Sequence, residues 1–164
     1  VWYGYDEPKP IRNTSGNPAG KIFKKVMDAA HEDLDDLSFP SKLNGADKWI
    51  LARLNDVIKE VTINLNKYEI GLAAARLYDF TWTEYCDWYI EMSKPLLYSK
   101  DKKEHNHAVA MLTYTLTEIL KLLHPFIPYI TEEIYSKYAE KGSMLMKSDW
   151  PSYNKRFAFR KINI

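Results

Sequence analysis

The sequence predicts an all-α protein, an antiparallel bundle of four to five helices with extended N- and C-terminal segments. Three observations lead there. Apolar residues recur at three- and four-residue spacing over several stretches long enough to be helices. Only 6 glycines and 8 prolines interrupt the 164 residues, which suits long helices. With 46% hydrophobic and 27% charged residues, the chain can bury one core and fits one domain.

Residues 1–20 are rich in Pro, Gly, Asn and Ser and are expected to form a lead-in segment or loop. A first helix is predicted from about Lys21 to Leu37, where Ile22, Val26, Ala29, Ala30 and Leu34 keep helical spacing. The second is the cleanest amphipath: Ile50, Leu54, Val57, Val61 and Leu65 share one side, Arg53, Asp56 and Glu60 the other. Asn44 or Asp47 is its expected N-cap, and it should end near Asn66 to Tyr68. The third helix follows Glu69-Ile70-Gly71 and carries six large aromatics, Tyr78, Phe80, Trp82, Tyr85, Trp88 and Tyr89. Its polar residues, Arg76, Asp79, Thr83, Asp87, Glu91 and Lys94, fall on one stripe, so a helix covered on most of its circumference is predicted, stopped by Pro95. Past a charged loop, Ser99 to Glu104, a fourth helix runs from Ala108 to Leu123. Pro128 then opens a fifth that Gly142 ends. Residues 21–142 would thus form the helical domain, and residues 143–164 an extended tail lying back on it.

Charge excludes little. With 23 basic and 22 acidic residues the formal net charge is +1, so an RNA partner would have to be met by a local patch. The single cysteine, Cys86, allows no disulfide within the chain, and no apolar run approaches the roughly 20 residues of a membrane span. The N-terminal stretch lacks a signal-peptide pattern, and the expected location is the cytoplasm.

No catalytic constellation is visible. His105 and His107 lack the third and fourth ligands that zinc requires and are expected to be solvated loop residues. Glu132 and Glu133 open a helix, where carboxylates favour the positive end of the dipole. There is no phosphate-cradling glycine loop and no hydrolase or metalloprotease motif. The chain itself is predicted to be non-catalytic, with no cofactor and no metal of its own.

Three blocks carry a family resemblance. Asp47-Lys48-Trp49-Ile50-Leu51-Ala52-Arg53-Leu54 resembles a helix-opening block of the valyl, leucyl and isoleucyl enzymes among class I aminoacyl-tRNA synthetases. The block from Tyr68 through Ala73-Ala74-Ala75 to Pro95, with Cys86-Asp87-Trp88-Tyr89-Ile90-Glu91 inside it, is similar to the valyl members in particular. Leu123-His124-Pro125-Phe126-Ile127-Pro128 through Ile134 resembles the block that ends the anticodon-binding domain, and Trp150-Pro151 fits the segment that follows. Where the family has an Asn and then an Arg on its first helix, this chain has Lys24 and Met27.

The resemblance implies a helical domain that holds the anticodon stem-loop of a valine-specific tRNA. The catalytic and editing domains of the same polypeptide would use ATP and Mg²⁺ to join valine to it. Neither H-I-G-H nor K-M-S-K-S, the ATP-site motifs of those catalytic domains, occurs here. Two alternatives stay open: the equivalent domain of an isoleucyl or leucyl enzyme, and a helical protein-interaction module.

Reading single-stranded RNA needs aromatic or guanidinium planes for bases and cations for phosphates. Lys24, Lys25, Lys48, Trp49 and Arg53 are therefore the candidate tRNA-binding residues. Core packing competes with stacking for Trp49, and a solvated face competes with RNA contact for Lys48 and Arg53. The aromatics of the third helix are expected in the core on the packing of a covered helix, and Asp79, Asp87 and Glu91 beside them repel phosphate.

Overall fold

A computed structural model describes residues 39–159. The predicted first helix, with Lys24 and Lys25, lies outside the described residues. Helix α1 spans Gly45–Asn66 and opens with a reciprocal capping box. Asn44 Oδ1 accepts from the Asp47 N–H at 2.9 Å, and the Asp47 carboxylate accepts from the Asn44 N–H at 3.0 Å. Ile50, Leu54, Val57 and Val61 form its buried face. Beyond it, Tyr68 adopts a left-handed backbone, φ 61°, and turns the chain back.

The predicted third helix is a composite rod: α2 (Ile70–Asp79), a π-helical stretch (Phe80–Tyr89) and α3 (Ile90–Leu97). The π stretch was not expected, and it decides which aromatics are buried. At about 100° per residue, an unbroken α-helix would swing Tyr85 and Tyr89 roughly 120–160° away from Ala73. The wider i→i+5 turn returns them to the side of Ala73, Leu77 and Phe80, and all five are buried. The Ile90 N–H donating to Tyr85 O closes the stretch in this pattern.

Two expectations for this rod are corrected. It is not covered on most of its circumference: Tyr78, Trp82 and Trp88 are exposed, Trp82 at 59%. Only one face of the rod meets α1 and the helix that follows, so one aromatic set serves the core and the other faces out. Pro95 does not stop the helix either; it sits inside α3, which runs to Leu97. So close to the C-terminal end, proline removes one backbone bond and the Tyr98 N–H still closes onto Lys94 O at 2.9 Å.

Helix α4, Lys102–Leu123, starts earlier than predicted because Asp101 caps it, accepting from the Lys103 N–H at 2.9 Å. His105 and His107 are consequently not solvated loop residues. They lie in its first two turns, half-buried, with His105 Nδ1 2.7 Å from Leu97 O and His107 Nε2 2.7 Å from Asp47 Oδ2. Helix α5, Pro128–Tyr135, begins on its proline and ends before Gly142, whose φ of 91° turns the chain. Glu132 does more than favour a dipole: its carboxylate accepts from the Leu145 and Met146 N–H groups at 2.9 and 3.2 Å, pinning the start of the tail.

The described helices pack around one core that joins α1, the rod and α4, with α5 against α4. The tail crosses α1 through short 3₁₀ turns at Leu145–Lys147 and Lys155–Phe157, and Phe157 packs onto Phe39 and Tyr114.

Candidate nucleic-acid interface

The first turns of α1 hold the sequence-predicted residues Lys48, Trp49 and Arg53, and the structure separates their roles. Asp47, 3% exposed, is the hub on which this end is built. Besides capping the helix, it accepts from Tyr89 OH at 2.9 Å and meets His107 Nε2. Burial, and then the Asp47 charge, push the Tyr89 phenol well above its ordinary value, so it stays a donor. This hub ties the starts of α1 and α4 to the end of the π stretch.

Lys48 lines a groove of about 580 Å³ beside Lys42 and, from α4, Lys103, with Glu104 and His107 also in its wall. The structure thus adds Lys42 and Lys103 to the sequence-predicted site. Lys103 lies 55 residues from Lys48 in the chain, and nothing local in the sequence could have paired them. Three lysines lining one groove with a single carboxylate make a local positive field in a nearly neutral chain.

Trp49 is half-buried and packs against the core, so it holds the helix rather than offering a free stacking plane. Arg53 is committed to the protein: its Nε and Nη2 donate to the two Glu84 oxygens at 2.5 and 2.8 Å. The bond to Glu84 holds the guanidinium above its ordinary pKa, against the opposing effect of burial. Glu84 also receives Arg76 Nη1 at 3.4 Å, and Arg76 Nε donates to Glu60 at 2.6 Å. Glu84 stands outside the polar stripe read from the sequence, and in the structure it faces Arg53 of α1.

Cys86 is half-buried; burial, and then the Asp87 charge, raise its thiol pKa, so it stays protonated. Among the described residues no group of three or more His, Cys, Asp or Glu side chains is placed to hold a metal. No described helix is long and apolar enough to cross a membrane.

One end of the helical bundle thus gathers Lys42, Lys48 and Lys103 beside the capped start of α1, and comparison with known families says what kind of domain this is. The family described as the anticodon-binding domain of tRNA ligase matches residues 47–164, and the chain belongs to it. Its similarity to curated proteins narrows this further. It is 51% identical to the valine–tRNA ligase of Clostridium tetani over 119 residues, 73% of this chain and 14% of that one. To the valine–tRNA ligase of Clostridium acetobutylicum it is 44% identical over 146 residues, 89% of this chain and 16% of that one. The valine–tRNA ligase of Oceanobacillus iheyensis is 44% identical over 145 residues, 86% of this chain and 16% of that one. The chain therefore spans only about a sixth of the length of these relatives.

Proposed function

We propose that this domain docks the anticodon stem-loop of a valine-specific tRNA, so that the acceptor end reaches a catalytic centre elsewhere in the same polypeptide. The observation that carries the reading is the family match over residues 47–164 together with the valine–tRNA ligases it resembles at 40–51% identity. ATP and Mg²⁺ belong to that catalytic centre, editing to a further domain, and the whole works in the cytoplasm. Within the domain, the Lys42, Lys48 and Lys103 groove supports phosphate contact.

The other domains of the ligase need a surface too. The outer face of the rod, with Tyr78, Trp82 and Trp88 exposed beside the carboxylates of Asp79 and Asp87, suits protein better than phosphate. The test is binding of the full chain, at low salt, to tRNA with a valine anticodon and to the same tRNA with altered anticodon bases. Tighter binding of the former is expected. Equal binding of both, or none, overturns the reading.

A further inference from the structure

We propose that the groove enclosed by α1, α4 and the returning tail is a second RNA-contact site, taking a base on Tyr153 and adjoining phosphates on Lys155, Arg156 and Lys59. The inference rests on the reading that the domain binds RNA and adds a surface outside the Lys48 groove. Lys59 lies 11 residues beyond Lys48, roughly 16 Å further along α1.

The first support is the way the tail is fixed. Asn55, 2% exposed at the centre of α1, spends both ends of its amide on one tail residue. Its Oδ1 accepts from the Asn154 N–H at 2.7 Å and its Nδ2 donates to Asn154 O at 3.1 Å. An apolar residue there would have served the core at no cost in buried polar atoms. A few residues earlier, Trp150 Nε1 donates to Thr62 Oγ1 at 2.9 Å and Pro151 is buried. Asn154 Oδ1 in turn accepts from the Arg156 N–H at 3.0 Å and caps the Lys155–Phe157 turn. All this order is spent immediately before two adjacent cations. Both are exposed, and neither forms an ion pair among the described residues.

The second support is what surrounds them. The groove holds about 350 Å³, the size of a single nucleotide rather than a helix, and its lining includes Tyr114, Lys121, Trp150, Tyr153 and Lys155. Tyr153 is 44% exposed and has Lys59 Nζ 5.9 Å from its ring centroid, so an aromatic plane and a cation stand together. Two carboxylates line the groove. Glu118 is matched by Lys121 at 2.7 Å, which leaves Asp149 and Lys155 on the lining, with Arg156 next to Lys155 in the chain and Lys59 over the Tyr153 ring. An exposed aromatic ring among fixed cations is the arrangement that holds unstacked bases and their phosphates.

The test uses the full chain and a stem-loop RNA with a valine anticodon, with affinity followed by fluorescence anisotropy across a salt series. The Lys155→Ala/Arg156→Ala pair should flatten the dependence of log K on log salt by about 1–2. Tyr153→Ala should weaken binding roughly 5- to 150-fold with the salt slope unchanged. As a readout that needs no variant, 4-thiouridine in the loop should cross-link to the peptide spanning residues 150–157. Wild-type slope and affinity in the variants, or cross-links confined to other peptides, overturn this site and leave the anticodon-docking reading intact. A wild-type chain that binds no stem-loop at any salt overturns both.

Discussion

The Arg53–Glu84 pair decides whether a cation that the sequence nominates for RNA is available to it. Replacing Glu84 by Gln removes the charge that receives Arg53 through two bonds and Arg76 through a third, longer one. Exposed ion pairs contribute up to about 1 kcal/mol, whereas stripping one partner from a buried pair costs about 3–5 kcal/mol. Glu84 is half-buried, its side chain 14% exposed, but the Arg53 side chain is 42% exposed and screened by water, so the cost should be about 1–2 kcal/mol. For a chain of this size that is a fall of roughly 2–8 °C in Tm. Arg53→Ala should destabilise to a similar extent, since Glu84 then keeps only Arg76 at 3.4 Å. The two variants should diverge on RNA. With its guanidinium engaged by Glu84, Arg53 neutralises no phosphate, and Arg53→Ala should leave the salt slope of stem-loop binding unchanged. Glu84→Gln, which frees the Arg53 guanidinium while Arg76 keeps Glu60 at 2.6 Å, should raise affinity at low salt several-fold. Scanning calorimetry and anisotropy on the same samples make the comparison. If Arg53→Ala flattens the slope by about 1 with less than about 1 °C lost in Tm, Arg53 leaves Glu84 for RNA and this reasoning is wrong.

Asp47→Ala removes the carboxylate half of the α1 capping box, leaving the Asn44 cap in place, and strands the buried Tyr89 hydroxyl and His107, so it should cost about 3–5 kcal/mol; thermal unfolding no lower than for an exposed carboxylate variant would refute the hub. Phe80→Ala should cost about 3–5 kcal/mol and Trp82→Ala less than about 1 kcal/mol, measured by urea unfolding, because only Phe80 enters the core. Burial pushes the Tyr114 and Tyr138 phenols from the ordinary 10.0 up to about 12. Since the folded values exceed the unfolded ones, the stability they contribute is fully present below pH about 10 and is lost as pH rises toward 12. An ultraviolet phenolate titration should show late-ionising tyrosines that coincide with alkaline unfolding; full ionisation near pH 10 with the fold intact would contradict it.

Where a residue's role follows from neighbours three or four positions away, the sequence revealed it. The Asn44 cap, the Ile50-to-Val61 face, the Tyr68 turn and the Pro128 start all depend on such local spacing. The rod was misread because a regular α-helical period was imposed on it. Its buried residues step by four and three from Ala73 through Leu77 to Phe80, then by five to Tyr85, and that five-residue step is the mark of the wider π turn. Around the candidate residue Lys48, Lys42 stands six residues earlier in the segment leading into α1, whereas Lys103 joins the same groove only through the packing of α4 beside α1. For Arg53 the deciding partner is distant: a free cation and a committed one have the same sequence signature, and only the place of Glu84 in the folded rod, 31 residues on, separates them.

A net charge of +1 concealed the electrostatics because carboxylates and cations are not distributed alike. Glu60, Glu84, Glu91, Glu118 and Glu133 each hold an arginine or lysine within the fold, Asp47 holds His107 and Tyr89, and Glu132 holds tail backbone. Cations without such partners among the described residues collect at Lys42, Lys48 and Lys103 and again at Lys155 and Arg156, while Asp79 and Asp87 fringe the exposed rings of the rod. The Debye length in the cell is about 8 Å, shorter than the roughly 16 Å from Lys48 to Lys59 along α1. An RNA strand therefore responds to each patch separately and not to the total. A nearly neutral composition is therefore compatible with local positive patches, because carboxylates such as Glu60, Glu84 and Glu118 are paired within the fold while Lys42, Lys48, Lys103, Lys155 and Arg156 form no ion pair among the described residues.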